Sequence, residues 1–248
     1  MNHVAAPPSP ADIGLIAALP IEIAPFLRRL SDVRKFAAKP HTITEGCCAR
    51  KVIAVVVTGP GQTAAARGAA LLLAGHAPRL LISAGFAGAL APNLQRNQVV
   101  VPTHVHNDSG ATIALDARPA TAAIAEAIPA RLLTIDRLVR TASEKAELGQ
   151  QTQTELVDME TFAVARLAAE RAVPLLAIRV ISDDAHTDLP PELLTLVGPT
   201  GSYRVGAALG AIMKRPAALA TMLKLREHAN AAAETLDRAL ITLLQSLP

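Results

Sequence analysis

The chain has 248 residues, of which 51% are hydrophobic and 18% are charged. This composition excludes a disordered chain and suffices for one large α/β domain or two small ones. The net charge of +3, the lack of Trp and the presence of one Tyr and four Phe leave few stacking platforms for bases, so nucleic acid is not an expected partner. Gly, Pro, Arg or His interrupts each apolar run before the roughly 18 to 20 residues that span a bilayer.

The N-terminal text MNHVAAPPSPAD has no positively charged region followed by an apolar stretch, so it predicts neither a signal peptide nor an anchor. We expect residues 1–11 to be a mobile tail and residues 12–248 to form a single domain, because no repeat or linker divides them. Cys47 and Cys48 are adjacent, a spacing that rarely forms a disulfide. The cytoplasm is therefore the simplest expected location.

Short apolar runs alternate with helical text as far as Ala185. The predicted strands are Ile13–Ala18, Lys51–Val57, Leu80–Ser83, Gln98–Pro102, Arg131–Ile135 and Leu175–Ile181. Helices are predicted from Leu19 to about Leu30, after Gln62 to about Gly75, from Val157 onward, and in the Ala-rich text from Arg204 to Leu244, which Pro216 breaks. This alternation predicts an α/β fold, a three-layer αβα sandwich around a mostly parallel mixed sheet, with residues 190–248 as a helical C-terminal extension.

A glycine-containing loop, Gly59-Pro60-Gly61-Gln62-Thr63-Ala64, lies between a predicted strand and a predicted helix. The pattern resembles a dinucleotide-binding loop, but a Rossmann domain also needs an acidic residue about 20 positions further on, where this chain has Leu81 to Ala84. Two other interpretations stay open. The glycines make a tight turn, or they bring backbone N–H groups close to a polar ligand.

Carboxylates follow the ends of predicted strands, where ligands of open α/β sheets bind. Asp183 is either a strand-ending surface charge or a general acid, and Glu22 is either a solvated helix-start residue or its catalytic partner. Asp158 and Glu160 are predicted in the first turn of a helix, a position that stabilises acidic residues by roughly 0.3 to 1 kcal/mol. Glu160 lies in apolar text and needs partners, which are either the two hydroxyls of a ribose or, structurally, Arg179.

Metal and covalent catalysis find no support in the sequence. The seven histidines show no ligand spacing, and the chain has neither a G-x-S-x-G elbow nor a paired Cys/His nucleophile motif.

Five stretches, IGLIAALPIE, TGPG, SAGFAGAL, VDMETFAVA and VPLLAIRVISDDA, resemble the purine nucleoside phosphorylase and nucleosidase superfamily, above all its methylthioadenosine/S-adenosylhomocysteine nucleosidases. The resemblance covers roughly residues 13–185, and the M-E helix followed by the R-x-I-S-D strand end is its most specific part. It implies a nucleoside phosphorylase-like fold, a small purine nucleoside as substrate and a homodimer or larger assembly. It implies no metal or organic cofactor, with water or phosphate as co-substrate.

The resemblance also implies residue roles. Asp183 would protonate or hydrogen-bond N7 of the purine, with Ser182 orienting it, while Glu22 would activate water and Glu160 would hold the ribose hydroxyls. The other implied substrate neighbours are Met159 and Asp158 beside the sugar, Phe86, Ala87 and Gly88 along the pocket, and Leu138 and Val139 flanking the base.

Some positions depart from the nucleosidase pattern. Pro20 and Ile21 replace an acidic run, Phe86 replaces a Ser, and Leu138 replaces an aromatic residue, which puts the 5′-substituent in question more than the reaction.

The C-terminal text, with DLPPELL, GPTGSYR and KRPAAL, resembles the hopanoid-associated phosphorylase branch, which is proposed to act on adenosylhopane. Phosphorolysis of such a nucleoside is therefore an alternative, and a catalytically silent nucleoside-binding protein is another. The basic text from Arg204 to Leu225 fits a membrane-surface helix, but a helix packed on the core is favoured.

Overall fold

The computed structural model describes residues 10–191, 193 and 216–248, with side chains of the last helix from Lys224 onward. The strands are β1 Ile13–Ala17, β2 Ser31–Ala38, β3 His41–Cys48, β4 Lys51–Val57, β5 Leu80–Ala89, β6 Val99–Asn107, β7 Thr112–Ala114, β8 Ile128–Thr134, β9 Leu156–Asp158 and β10 Leu175–Asp183. The helices are α1 Pro20–Leu27, α2 Gln62–His76, α3 Arg118–Ala123, α4 Ala142–Thr152, α5 Thr161–Glu170 and α6 Pro216–Ser246.

The strands form one mixed sheet in the order β10-β6-β8-β9-β5-β1-β4-β3-β2, with β7 on β6. Its centre is parallel, since β1 pairs in parallel with β4 and β5, and β5 pairs in parallel with β10. The far end of β5 also pairs with β9, so β5, β10, β6, β8 and β9 close into a ring. The ring brings the ends of β5, β9 and β10 together at one place.

Helices cover both faces of the sheet, which confirms the expected three layers. One apolar cluster contains Leu72 of α2 and Val164 of α5. A second contains Phe26 of α1 and Leu240 of α6. Each central strand supplies both clusters because its side chains alternate between the faces, and burying both faces explains the apolar text of these strands.

The predicted strands are all present, and the structure adds four more. These are the two strands of the β2–β3 hairpin and the short strands β7 and β9. Strand β2 was not expected because it is largely exposed and carries no apolar alternation. Strand β5 continues past its predicted end at Ser83 to Ala89, because β10 and β9 pair with that part of it.

The structure corrects the predicted positions of Asp158 and Glu160. Asp158 and Glu160 do not lie in the first turn of a helix: Asp158 ends β9, and Glu160 precedes Thr161, the first residue of α5. The backbone of Asp158 is held in the sheet beside Thr134 of β8, so the chain stays extended there. The Asp158 carboxylate instead accepts a hydrogen bond from the Thr161 N–H at 3.1 Å.

The structure describes only parts of the predicted N-terminal tail and of the predicted C-terminal extension. Residues 1–9 and most of the predicted loop and basic segment between Glu192 and Arg215 lie outside the described residues. Ala11, expected in the tail, is buried, and its N–H donates to the His76 carbonyl at 2.8 Å. In the part of the chain that can be described, no helix is both long and apolar enough to cross a membrane.

Candidate active site

A cleft of about 210 Å³ lies where the carboxyl ends of β1, β5 and β10 meet the β9–α5 junction. Its lining residues are Ala18, Leu19, Glu22, Pro60, Phe86, Ala87, Gly88, Leu138, Val157, Asp158, Met159, Glu160, Ser182, Asp183 and Leu193. The fold therefore gathers both predicted catalytic carboxylates and most of the predicted substrate neighbours in one place. Val139 is the exception, since it lines a smaller adjoining cavity with Leu138 and Asp183.

A larger surface cavity of about 450 Å³ lies against α4. Its charged lining residues include Arg131 and Glu155, whose side chains pair with each other at 2.6 Å. The smaller cleft holds four carboxylates from three separate segments of the chain. Convergent titratable groups are a better sign of chemistry than volume, so the smaller cleft is the candidate active site.

Glu22 is fixed by backbone donors from two strand ends. Its Oε2 accepts from the N–H groups of Ala18 at 3.0 Å and Leu19 at 2.7 Å, and its Oε1 accepts from the N–H of Phe86 at 2.8 Å. Burial raises the pKa of the Glu22 carboxyl, although these N–H donors and the charge of Arg179 act in the opposite direction. A carboxylate held rigidly with a raised pKa suits a general base near neutral pH.

Asp158 and Arg179 form a buried ion pair behind the cleft. The Arg179 Nη2 lies 2.9 Å from Asp158 Oδ2, and Arg179 and Asp158 are 2% and 6% exposed. Thr134 donates to Asp158 Oδ1 at 2.6 Å, and Arg179 also donates to the Ser83 carbonyl at 2.9 Å. Arg179 therefore pairs with Asp158 and not with Glu160, which corrects the structural alternative raised from the sequence.

Glu160 retains a carboxylate that faces the cleft. Within the described residues its one hydrogen bond comes from the N–H of Gly61, at 2.8 Å from Oε1. Desolvation, the neighbouring Asp158 charge and Glu22 raise the pKa of Glu160 to about 8, against the lowering effect of the Gly61 N–H. A ligand that donates two hydrogen bonds, as a ribose does, would satisfy this carboxylate.

The backbone N–H groups of the glycine loop bind carboxylates of this chain. The Gly61 N–H binds Glu160, and the next N–H, that of Gln62, donates to Asp136 Oδ1 at 2.8 Å. The loop amides thus bind two side-chain carboxylates, of which Glu160 lines the cleft. Gly59 and Gly61 have φ of 81° and 96°, a region that favours glycine.

Asp183, at the end of β10, is 9% exposed and receives polar contacts from two sides. Ser182 Oγ donates to Asp183 Oδ1 at 2.7 Å, and Lys145 Nζ lies 2.6 Å from Asp183 Oδ2. The predicted orienting role of Ser182 has a contact to support it. Lys145 was missed by the sequence analysis, because its partner lies 38 positions away along the chain.

Two glycines of the AGFAG segment allow the carboxylates to approach β5. A Cβ at position 85 would lie 2.8 Å from Glu22 Oε1, and a Cβ at position 88 would lie 3.1 Å from Asp183 Oδ2. Both separations are shorter than ordinary van der Waals contact, so side chains there would displace the acids. The motif is therefore explained by the space that the catalytic candidates occupy.

Glu160→Gln should separate stability from function. Because the folded state holds the Glu160 proton more tightly than the unfolded state, where the pKa is near 4.5, the free energy of unfolding falls as pH rises from the unfolded toward the folded pKa. The amide of the variant does not ionise, so the variant should become more stable than the parent chain by about 1 to 3 kcal/mol near pH 8, and only slightly so near pH 5. It should at the same time lose nucleoside affinity.

Urea unfolding at several pH values measures the stability difference, with Glu126→Gln, an exposed site, as the matched control. A stability difference that stays constant between pH 5 and 8 would contradict the assignment of the proton to Glu160.

The fold and the cleft together define an α/β protein with a small cleft lined by carboxylates at the strand ends. In the comparison with protein families, residues 12–213 match the phosphorylase superfamily, and the chain belongs to that family. This confirms the superfamily expected from the sequence.

Several individual members of the superfamily are similar to this chain in sequence or in fold. The chain is 30% identical over 198 residues to a 5′-methylthioadenosine/S-adenosylhomocysteine nucleosidase of Haemophilus ducreyi, an alignment that covers 70% of this chain and 85% of the relative. It is similar in fold to the same nucleosidase of Neisseria meningitidis in complex with methylthio-immucillin-A, with a TM-score of 0.75, 20% identity and coverage of 95% and 99% of the two chains. A futalosine hydrolase of Helicobacter pylori is also similar, with a TM-score of 0.73, 17% identity and coverage of 97% and 100%.

Proposed function

We propose that this protein hydrolyses the N-glycosidic bond of a 5′-substituted adenosine and releases adenine. The observation that carries the proposal is the position of Asp183 and Glu160 along one cleft, with Glu22 in the same lining. These three carboxylates come from separate segments of the chain, so their convergence is a property of the fold. The nucleosidase relatives, whose names include methylthioadenosine and S-adenosylhomocysteine, support the same reaction.

In the proposed reaction the bond between C1′ and N9 breaks, and its electron pair goes to the purine. Asp183 supports proton delivery to N7, which makes the base a better leaving group. Glu160 accepts hydrogen bonds from the ribose hydroxyls and holds the sugar. Glu22 takes a proton from the water whose oxygen bonds to C1′, so that the free sugar and adenine are formed.

The rest of the cleft suits an apolar 5′-substituent. The side chains of Leu19, Phe86, Met159 and Leu193 line it together with Leu138. Met and aromatic surfaces favour contact with a thioether or hydrocarbon group. Both 5′-substituents named in the relatives, methylthio and homocysteine, join the sugar through a thioether, and methylthio is apolar throughout.

Phosphorolysis is the second candidate, and it includes the adenosylhopane reaction suggested by the C-terminal text. Against it stands the lining of the described cleft, which places the acids Glu22, Glu160 and Asp183 where a phosphate dianion would need cationic donors. Arg179 lines a small cavity together with Glu22 and Glu160, but Asp158 already pairs with it. Water is therefore the favoured nucleophile.

The test is incubation of the purified protein with methylthioadenosine, S-adenosylhomocysteine and inosine, with and without phosphate. Adenine together with free 5-methylthioribose, formed equally well without phosphate, is the expected result. A phosphorylated sugar formed only with phosphate would establish phosphorolysis. Ligand binding without any product would establish a silent binding protein.

Glu22→Gln should lower hydrolysis of methylthioadenosine by about 10²-fold, because an amide does not take a proton from water. The effect should appear in kcat, with KM changed by less than about threefold. Circular dichroism controls for the fold, since the amide NH₂ would face backbone N–H donors. Activity within about threefold of the parent protein would remove Glu22 from water activation.

The resemblance also implies a cytoplasmic homodimer, which we include in the proposal. Light scattering coupled to size-exclusion chromatography measures the mass, and a single 25.8 kDa species would contradict the dimer.

A further inference from the structure

Helix α4 inserts a lysine into the interior directly behind the candidate acid. Lys145 is 0% exposed, and its ammonium group has three acceptors. They are the Asp183 carboxylate at 2.6 Å, the Asp184 carbonyl at 2.6 Å and the Thr187 carbonyl at 3.2 Å. A buried ammonium requires such complete pairing, so its position is fixed.

The surrounding charges direct this ammonium toward Asp183. Asp184 pairs through its carboxylate with Arg96 at 2.9 Å, and Glu144, the neighbour of Lys145 on α4, pairs with Arg137. The charged groups nearby include Asp183, Asp184, Asp188, Arg96, Arg137 and Glu144. Of these, Asp183 is the carboxylate to which Lys145 is paired.

The two carboxylate oxygens of Asp183 have different polar partners. Oδ1 takes the Ser182 hydroxyl, while Oδ2 takes Lys145 and also lies beside Gly88, where a Cβ would be 3.1 Å away. Gly88 lines the cleft. Oδ2 therefore contacts the ammonium and also lies beside a residue that lines the cleft.

We propose that Lys145 is a positioning residue that holds Asp183 toward the base and stores the proton which Asp183 passes to N7. This inference rests on the proposed function. A lysine ammonium carries a proton at neutral pH, whereas a carboxyl group ordinarily does not. The pair Asp183–Lys145 thus holds a transferable proton before the reaction begins.

As the C1′–N9 bond breaks, the N–H bond of Lys145 breaks and its proton moves to Asp183 Oδ2, and the carboxyl group then gives a proton to N7. The products are N7-protonated adenine, an Asp183 carboxylate and a neutral Lys145 amine. Solvent returns to Lys145 the proton that Glu22 took from the attacking water.

The test compares Lys145→Met and Lys145→Arg on two substrates at pH 8. One is methylthioadenosine, and the other is the p-nitrophenyl riboside with the same 5′-methylthio group, whose phenolate leaves without protonation. Arginine keeps the charge and the hydrogen-bond donors but does not release its proton in proteins. Lys51→Met, at a partly exposed lysine that contacts the C-terminal carbonyl, is the control.

We expect both Lys145 variants to lower kcat for adenine release by about 10²-fold or more, with KM and p-nitrophenol release within about threefold of the parent protein. Adenine release by Lys145→Met should also fall with rising pH between 6 and 8 more steeply than that of the parent protein, because Asp183 must then take its proton from solvent.

Three results would overturn the inference: equal losses on both substrates, no loss on either, or full adenine release by Lys145→Arg, which would mean that charge alone suffices. If Lys145→Met does not fold, Lys145→Gln, which retains donors for the Asp184 and Thr187 carbonyls, is judged by the same ratio of the two substrates. Failure of the parent protein to release adenine from any nucleoside is a separate result that removes the proposed function and this inference with it.

Discussion

Asp183→Asn is expected to lower adenine release from methylthioadenosine by about 10²- to 10⁴-fold, the range for loss of a general acid. Asn keeps the size of the side chain and still accepts a hydrogen bond from Lys145 Nζ, which lies 2.6 Å from Oδ2. It does not carry a proton to N7. The loss should therefore appear in kcat, while affinity for a nucleoside analogue changes little.

Steady-state kinetics with an adenine-coupled assay measure the change. Asp116→Asn is the matched control because Asp116 is exposed and pairs with Arg118 in a region that does not line the cleft. Unimpaired turnover by Asp183→Asn would require a different acid and would undermine the mechanism proposed for this cleft.

Arg179→Met should produce the largest loss of stability, about 3 to 5 kcal/mol, because it leaves the buried Asp158 carboxylate without its cation. Arg179 is 2% exposed, and besides Asp158 its guanidinium donates to the Ser83 carbonyl at 2.9 Å and to the Ser83 hydroxyl at 2.8 Å. These contacts join β5, β9 and β10, the strands whose ends surround the cleft. Their loss should also reduce ligand binding.

Urea unfolding monitored by circular dichroism gives the free energy. Arg166→Met is the control, because the Arg166–Glu170 pair is exposed and 3.9 Å long and such pairs contribute about 0 to 1 kcal/mol. Equal effects of the two substitutions would show that the Asp158–Arg179 pair does not stabilise the fold.

Asp158 and Glu160 lie two residues apart but differ in how their carboxylates are paired. Both acids come from the segment DME, yet Asp158 is neutralised by Arg179 whereas Glu160 is left with the Gly61 N–H within the described residues. Under the proposed function, a buried carboxylate with a single donor is expected to lower stability and to remain available to a ligand, which is the usual conflict between stability and function in binding sites. The predicted stabilisation of Glu160→Gln follows from the same conflict.

Much of the architecture was predictable because its signals are local. Alternating apolar strands and helices determined the α/β class, and Lys51–Val57 was predicted with the bounds that the structure has. The hairpin β2–β3 was not predictable in this way. Strand β2 packs few apolar side chains and exists through its pairing with β3, which no local periodicity reports.

The sequence by itself determined which carboxylates follow the strand ends, since an apolar run that stops at Asp183 or precedes Glu22 is visible in the text. Only the tertiary structure decided how these charges are paired. Arg179 pairs with Asp158 rather than Glu160, and Lys145 reaches Asp183 from a helix 38 positions earlier. The physical reason is that hydrophobic periodicity depends on neighbours along the chain, whereas a buried charge is governed by whichever group packing brings within about 4 Å.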